Sequence, residues 1–102
     1  MVRLVLCNCS PDEAPTLAQR LVEENLAACV NIIPQITSFY RWEGALCDDE
    51  ESTLLIKTTR EGYAELEKRL TRYHSYDVPE IIALDATEVA EAYAEWVYDQ
   101  VR

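Results

Sequence analysis

Val2-Arg3-Leu4-Val5-Leu6-Cys7-Asn8-Cys9-Ser10-Pro11-Asp12-Glu13, at the start of the chain, carries a strand directly into a helix. The unbroken apolar run Leu4-Val5-Leu6-Cys7 has the pattern of a strand buried on both faces, which places it at the centre of a sheet. Ser10 then stands where a helix cap belongs, Pro11 suits the first turn, and Glu13 follows the cap by three residues as a capping box requires. Ala14, Leu17, Ala18, Leu21 and Val22 recur at helical spacing, laying one apolar stripe against that sheet until the helix ends near Asn25.

Beyond this unit the period changes from helical to extended. Val30-Asn31-Ile32-Ile33 and Ile36-Thr37-Ser38-Phe39-Tyr40-Arg41-Trp42 are rich in β-branched and aromatic residues, and Pro34 between them predicts an edge position or a bulge in one long bent strand. Glu43-Gly44 reads as the turn, Ser52 to Thr59 as the returning strand, and the acidic stretch Asp48-Asp49-Glu50-Glu51 as a solvated loop or an exposed strand start. Thr58 and Glu61 suggest a second capping box, ahead of Tyr63, Leu66, Leu70 and Tyr73 at helical spacing. Val78 to Leu84 predicts a further strand with Pro79 near its start, and Thr87 to Val101 a last helix burying Val89, Tyr93, Trp96 and Val97.

The order is βαββαβ with a C-terminal helix, the signature of an α+β, ferredoxin-like sandwich: a four-stranded antiparallel sheet with two helices on one face. With 102 residues, 49% of them hydrophobic, the chain is read as a single domain (residues 1–102) able to bury its own core with no cofactor needed for folding. The hairpin from Cys29 to Thr59 bears on assembly. Its two arms, at ~3.3 Å per residue, outreach a compact domain of this size. The tip therefore either leans on another subunit or folds back, and its aromatic residues Phe39, Tyr40 and Trp42 suit an oligomer interface.

Nine basic against nineteen acidic residues give a formal charge of -10, a field that repels phosphate backbones, so nucleic acid is not an expected partner. No window is apolar enough to span a bilayer and no cleavable leader is evident; membrane insertion is not expected, and the predicted location is cytoplasmic. Four cysteines without a CxxC pair, in a chain with no secretory signature, do not suggest a disulfide framework.

Cys7 and Cys9 are two apart on a strand and so share a face at ~6–7 Å, close enough to share a soft metal ion, or simply to fill the core as small hydrophobes. Cys29 reads as core and Cys47 as exposed. His74 is the only histidine, so the common His-pair metal motifs are excluded and any metal site must borrow cysteine or carboxylate ligands; its place at the end of the second helix equally suits a dipole-stabilised imidazolium. Tyr76, Asp77 and Glu80 beside His74 form either acid-base machinery or a hydrogen-bonded patch. With two glycines in all, no phosphate-cradling loop, no nucleophile elbow and no third member for a Cys9–His74 pair, an enzyme is not expected.

Ser10-Pro11-Asp12-Glu13-Ala14, Leu26-Ala27-Ala28-Cys29-Val30-Asn31-Ile32-Ile33-Pro34, Thr37-Ser38-Phe39-Tyr40-Arg41-Trp42-Glu43-Gly44, Ile56-Lys57-Thr58-Thr59 and His74-Ser75-Tyr76-Asp77-Val78-Pro79-Glu80-Ile81 resemble, in order, the successive signatures of the divalent-cation tolerance (CutA) family. The resemblance covers essentially the whole chain. It implies a homotrimer of ferredoxin-like subunits with exchanged hairpins, a cytoplasmic protein of divalent-cation and above all copper tolerance, and copper or another divalent cation as ligand. It further implies that copper is held by a cysteine at the end of the first strand and by histidine at the end of the second helix. The histidine corresponds to His74. By count back from Pro11 the cysteine corresponds to Asn8, flanked by Cys7 and Cys9, while Tyr73 stands where a second histidine can occur and Ser75 replaces the usual proline. The implied trimer is similar to that of PII signal proteins, which gives an alternative: a signalling or scaffold module taking a small molecule or an unidentified protein partner in an intersubunit cleft lined by Trp42, Tyr76 and Glu80.

Overall fold

A computed structural model describes all residues, 1–102. The elements are β1 (Val2–Cys9), α1 (Ala14–Glu23), β2 (Cys29–Trp42), β3 (Ala45–Thr59), α2 (Tyr63–Tyr73), β4 (Ile81–Asp85) and α3 (Glu91–Gln100). The four strands form one antiparallel sheet in the order β2-β3-β1-β4, with β1 central as its double-sided apolar pattern requires.

Register sorts the side chains. Val5, Cys7 and Leu54, Ile56 lie opposite one another in β1 and β3, and together with Cys9 they meet Ala14, Leu17, Ala18 and Leu21 of α1 and Leu66 and Leu70 of α2 in the main core. The alternate residues Leu4, Leu6, Leu55, Ile82 and Leu84 lie on the other face, which neither α1 nor α2 covers; Ile82 and Leu84 there are exposed. The helix α3 closes the end of the sheet where β1 begins, with Val97 buried against Val2 and Ala28. A Cβ at Gly62 would meet Val101 Cγ1 at 2.7 Å, so glycine there lets the C-terminal segment lie on the start of α2.

Several local expectations change. Ser10 to Glu13 is a turn and α1 starts at Ala14: the Ser10 amide and hydroxyl both bond Glu13 Oε2, at 3.3 and 3.0 Å, so the box closes without the helix running through it. Thr58 does not cap α2. It is buried and its hydroxyl donates to the Leu26 carbonyl at 2.8 Å, while Thr59 Oγ1 accepts from the Gly62 amide at 2.9 Å. Of the two readings of the acidic stretch 48–51, solvated loop or exposed strand start, the strand holds: β3 pairs with β2 from Ala45 and is interrupted only by a bulge between Ile33 and Ile36, where Pro34 lacks a donor and Gln35 turns left-handed at φ 60°. Val78 and Pro79 precede β4, which begins at Ile81, and residues 87–90 precede α3. Tyr93 and Trp96 are exposed rather than buried: α3 packs on the sheet chiefly through Val97 and Ala94, and Tyr93 reaches it only at Cys29.

The hairpin does not fold back. Glu43 and Gly44, both left-handed at φ 50° and 81°, form a two-residue turn between the paired Trp42 and Ala45, and the arms run on past the sheet. The longest dimension is 45 Å against 25 and 22 Å for the others, and the radius of gyration is 14.1 Å where about 13 Å is usual for this length.

A candidate ligand cavity beside the hairpin

Where the hairpin leaves the body of the sheet, its inner face and the loop after α2 border an open-mouthed cavity of about 600 Å³. Pairing of Ser38 with Asp49 and of Tyr40 with Cys47 puts Ser38, Tyr40, Trp42, Asp49 and Glu51 on one face of the arms. The loop supplies Tyr76, Asp77, Val78 and Glu80, and Asn8 at the end of β1 forms the floor. Trp42, Tyr76 and Glu80, singled out from the sequence as one cleft, line this single cavity within one subunit. So does Tyr40, while Phe39, 74% exposed, and Leu46, 73% exposed, present apolar surface at the tip on the opposite face of the arms.

Glu51 is the deepest acid, 7% exposed, and accepts a hydrogen bond from Tyr76 Oη at 2.8 Å. Tyr40 Oη donates in the same way to Asp49. Burial and the Glu51 carboxylate push the Tyr76 phenol well above its ordinary range, and the Asp49 carboxylate pushes Tyr40 up to about 12, so both phenols stay protonated donors. Asn8 ties the floor to the walls, accepting from Thr53 Oγ1 at 2.7 Å and donating to Glu80 at 3.4 Å.

His74 holds the loop. Its Nδ1 accepts the Tyr76 amide at 3.1 Å, which leaves Nε2 to donate to the Asn8 carbonyl at 2.9 Å, so the buried ring is a neutral bridge between β1 and the cavity loop. Ser75 donates through hydroxyl and amide to Glu13, at 2.6 and 3.2 Å. Burial pushes the Glu13 carboxyl up, but the bonds from Ser75 and Ser10 outweigh it and hold Glu13 below its ordinary value. The capping-box glutamate thus anchors the loop after α2.

The three residues read as metal ligands, Cys7, Cys9 and His74, meet different surroundings. Both thiols are 0% exposed and face the helices; burial pushes Cys7 up to about 12 and Cys9 up to about 11, far from the thiolate that a soft metal needs. Both His74 nitrogens are engaged, and no group of three or more His, Cys, Asp or Glu side chains gathers into a metal-holding set. The residues as they stand do not fit copper. Cys29 is half-buried between Lys57 and Tyr93 of α3 rather than in the core, and Cys47 is half-buried on the hairpin.

Asp77, read from the sequence with Tyr76 and Glu80, also lines the cavity, whereas Asn8, Ser38, Asp49, Glu51 and Val78 were not legible as site residues from local pattern. The signal for those on the arms was available: once Glu43-Gly44 is a two-residue turn, alternation puts Ser38, Tyr40 and Trp42 on the face of Asp49 and Glu51.

Residues 3–100 match the family model described as CutA1 divalent ion tolerance protein. The chain is 48% identical over 88 residues to the divalent-cation tolerance protein CutA of Thermus thermophilus, covering 86% of this chain and 85% of that one. The solved structure of the Thermus thermophilus protein superposes with a TM-score of 0.96 at 44% identity over 100% of both chains. A structure described as the periplasmic divalent cation tolerance protein CutA of Archaeoglobus fulgidus gives 0.95 at 35% identity, again over 100% of both. The chain spans about half of some longer relatives, 47% of the chloroplastic protein CutA of Arabidopsis thaliana, to which it is 45% identical over 86 residues and 84% of its own length.

Proposed function

Since the chain belongs to the CutA1 divalent ion tolerance family, we propose that it serves tolerance of divalent cations, copper among them, as a cytoplasmic homotrimer that works by binding rather than by catalysis. We place the working site in the cavity beside the hairpin, not at the thiols. One observation carries this reading: Trp42 from one hairpin arm and Tyr76 and Glu80 from the distant loop line a single cavity around the buried Glu51. A trimer is supported by the projecting hairpin and by the apolar sheet face over Ile82 and Leu84, which stays open in one subunit. A protonated, core-packed Cys7 and Cys9 and an imidazole spent on two backbone groups argue against the alternative, a stoichiometric copper site on those residues.

A copper titration by calorimetry under reducing conditions tests it, on the wild type and on Cys7→Ser, Cys9→Ser and His74→Ala, with light scattering for the assembly. The expected result is a mass three times 11.7 kDa and copper uptake that is weak and insensitive to the thiol changes. Tight uptake of one ion per subunit, lost in Cys9→Ser and in His74→Ala, would overturn the placement of the site.

A further inference from the structure

The cavity holds four carboxylates, Asp49, Glu51, Asp77 and Glu80, and no lysine, arginine or histidine lines it. The molecule's five ion pairs all lie elsewhere, around Asp85, Glu24 and Glu65. Glu51 is the informative one. It is nearly fully buried, its Oε2 is bonded to Tyr76, and its Oε1 has no hydrogen-bond partner in the protein yet is not sealed from solvent, so it opens into the cavity. A buried carboxylate is costly without a cationic partner; Tyr76 satisfies one of its oxygens, and no residue lining the cavity in this subunit supplies a positive charge.

Two features decide what kind of cation would complete it. The carboxylates do not converge into a set able to ligate a metal ion: Asp49 and Glu51 stand on the hairpin arm, Asp77 and Glu80 on the opposing loop. Point charges need convergent oxygens, whereas separated carboxylates suit charges separated along a chain. Between the carboxylates the wall carries Tyr40, Trp42 and Tyr76, with Asn8, Ser38 and Val78, and the aromatic rings attract an organic ammonium group while offering a metal no ligand. Tyr40 and Tyr76 spend their hydroxyl protons on Asp49 and Glu51, so the free oxygen of Glu51 is left to accept from an N–H donor.

We propose that this cavity binds an organic cation carrying two or more ammonium groups, of the polyamine class, with Glu51 and Glu80 as its two charge anchors and Trp42 and Tyr76 packed on its methylene chain. The proposal rests on the reading of the cavity as the working site. It fits the size, since cavities of 300–1,000 Å³ are usual for small-molecule ligands, and it fits the net charge of -10, which draws cations toward the protein.

The test is a titration of the intact protein with spermidine, magnesium and adenosine triphosphate at matched ionic strength, read by calorimetry and by the amide signals of residues 38–42, 49–51 and 76–80. Saturable spermidine binding that moves these signals, is not displaced by equimolar magnesium, and weakens by about tenfold or more in Glu51→Gln and in the exposed-site change Glu80→Gln is the expected outcome. Circular dichroism of each variant separates loss of binding from loss of fold, and Glu80→Gln answers the question if Glu51→Gln does not fold. Magnesium competing as well as spermidine, or binding unchanged in Glu80→Gln, would reduce the effect to attraction by an acidic surface and overturn the proposal. Signals moved by adenosine triphosphate but not by spermidine would overturn the ligand class while leaving the cavity as the working site; signals silent to all three probes would overturn both.

Discussion

Cys7 and Cys9 show how little a residue's type says about its chemistry until its surroundings are known. On a strand, spacing of two gives a shared face, but whether that face looks toward solvent or toward helices decides between a pair of ligands and a pair of core side chains. Here it looks toward α1 and α2, and burial holds both thiols protonated. Two consequences follow at this scale. A thiol reagent at pH 8 should modify Cys29 and Cys47 in the native protein and leave Cys7 and Cys9 untouched until urea is added. Cys7→Ser should lower stability by about 1–3 kcal/mol, because a hydroxyl would be buried where the thiol made only a long contact to the Asn8 carbonyl at 3.8 Å; urea unfolding measures it. His74 is likewise a matter of surroundings, since its position after α2 was readable but the two backbone groups that engage its ring come from the β1 end and from Tyr76.

Element by element, the ends are where short-range patterns and the fold part company. Helix α1 ends at Glu23 through a Schellman closure: Leu26 N bonds the Leu21 carbonyl at 3.0 Å and Asn25 N bonds the Val22 carbonyl at 3.1 Å, with Asn25 left-handed at φ 58° and its side chain donating to the Gln100 carbonyl. Asn25→Ala should therefore cost about 1–2 kcal/mol from the left-handed backbone alone, and Asn25→Gly distinctly less, as the difference in urea midpoints will show. Charged groups at other ends give the pH profile. Asp85, at the end of β4, is held down to about 2 by hydrogen bonds from Arg3 and Arg60, and Glu24, after α1, to about 2 by Tyr73, Arg69 and Arg20. Both values lie below those of the unfolded chain, about 3.9 and 4.3. Their contribution is thus complete above about pH 5 and is lost as pH falls through 4 toward 2. Acid titration of the urea midpoint should show that loss, and Asp85→Asn should flatten the part due to Asp85.

For the whole molecule the governing feature is a hairpin too long for the body that carries it. Its exposed Phe39 and Leu46, together with the open sheet face, call for apolar contact with neighbouring subunits. Replacing residues 37–50 by a two-residue Asn-Gly turn should leave the sheet and α1 and α2 folded by circular dichroism. It should shift light scattering from three subunits to one, and an unchanged mass would show that the hairpin does not hold the assembly together. Local sequence by itself determined the element order, the bulge at Pro34, the turn at Glu43-Gly44 and the helix-facing stripe, because each depends on side-chain period and backbone freedom within a few residues. Only the tertiary structure decided that the acidic stretch is strand, that Glu13 anchors the loop after α2, that the thiols are core, and that Glu51 faces Tyr76 across a cavity. Each of these is a meeting of residues far apart in the chain, and burial and charge exist only once they have met.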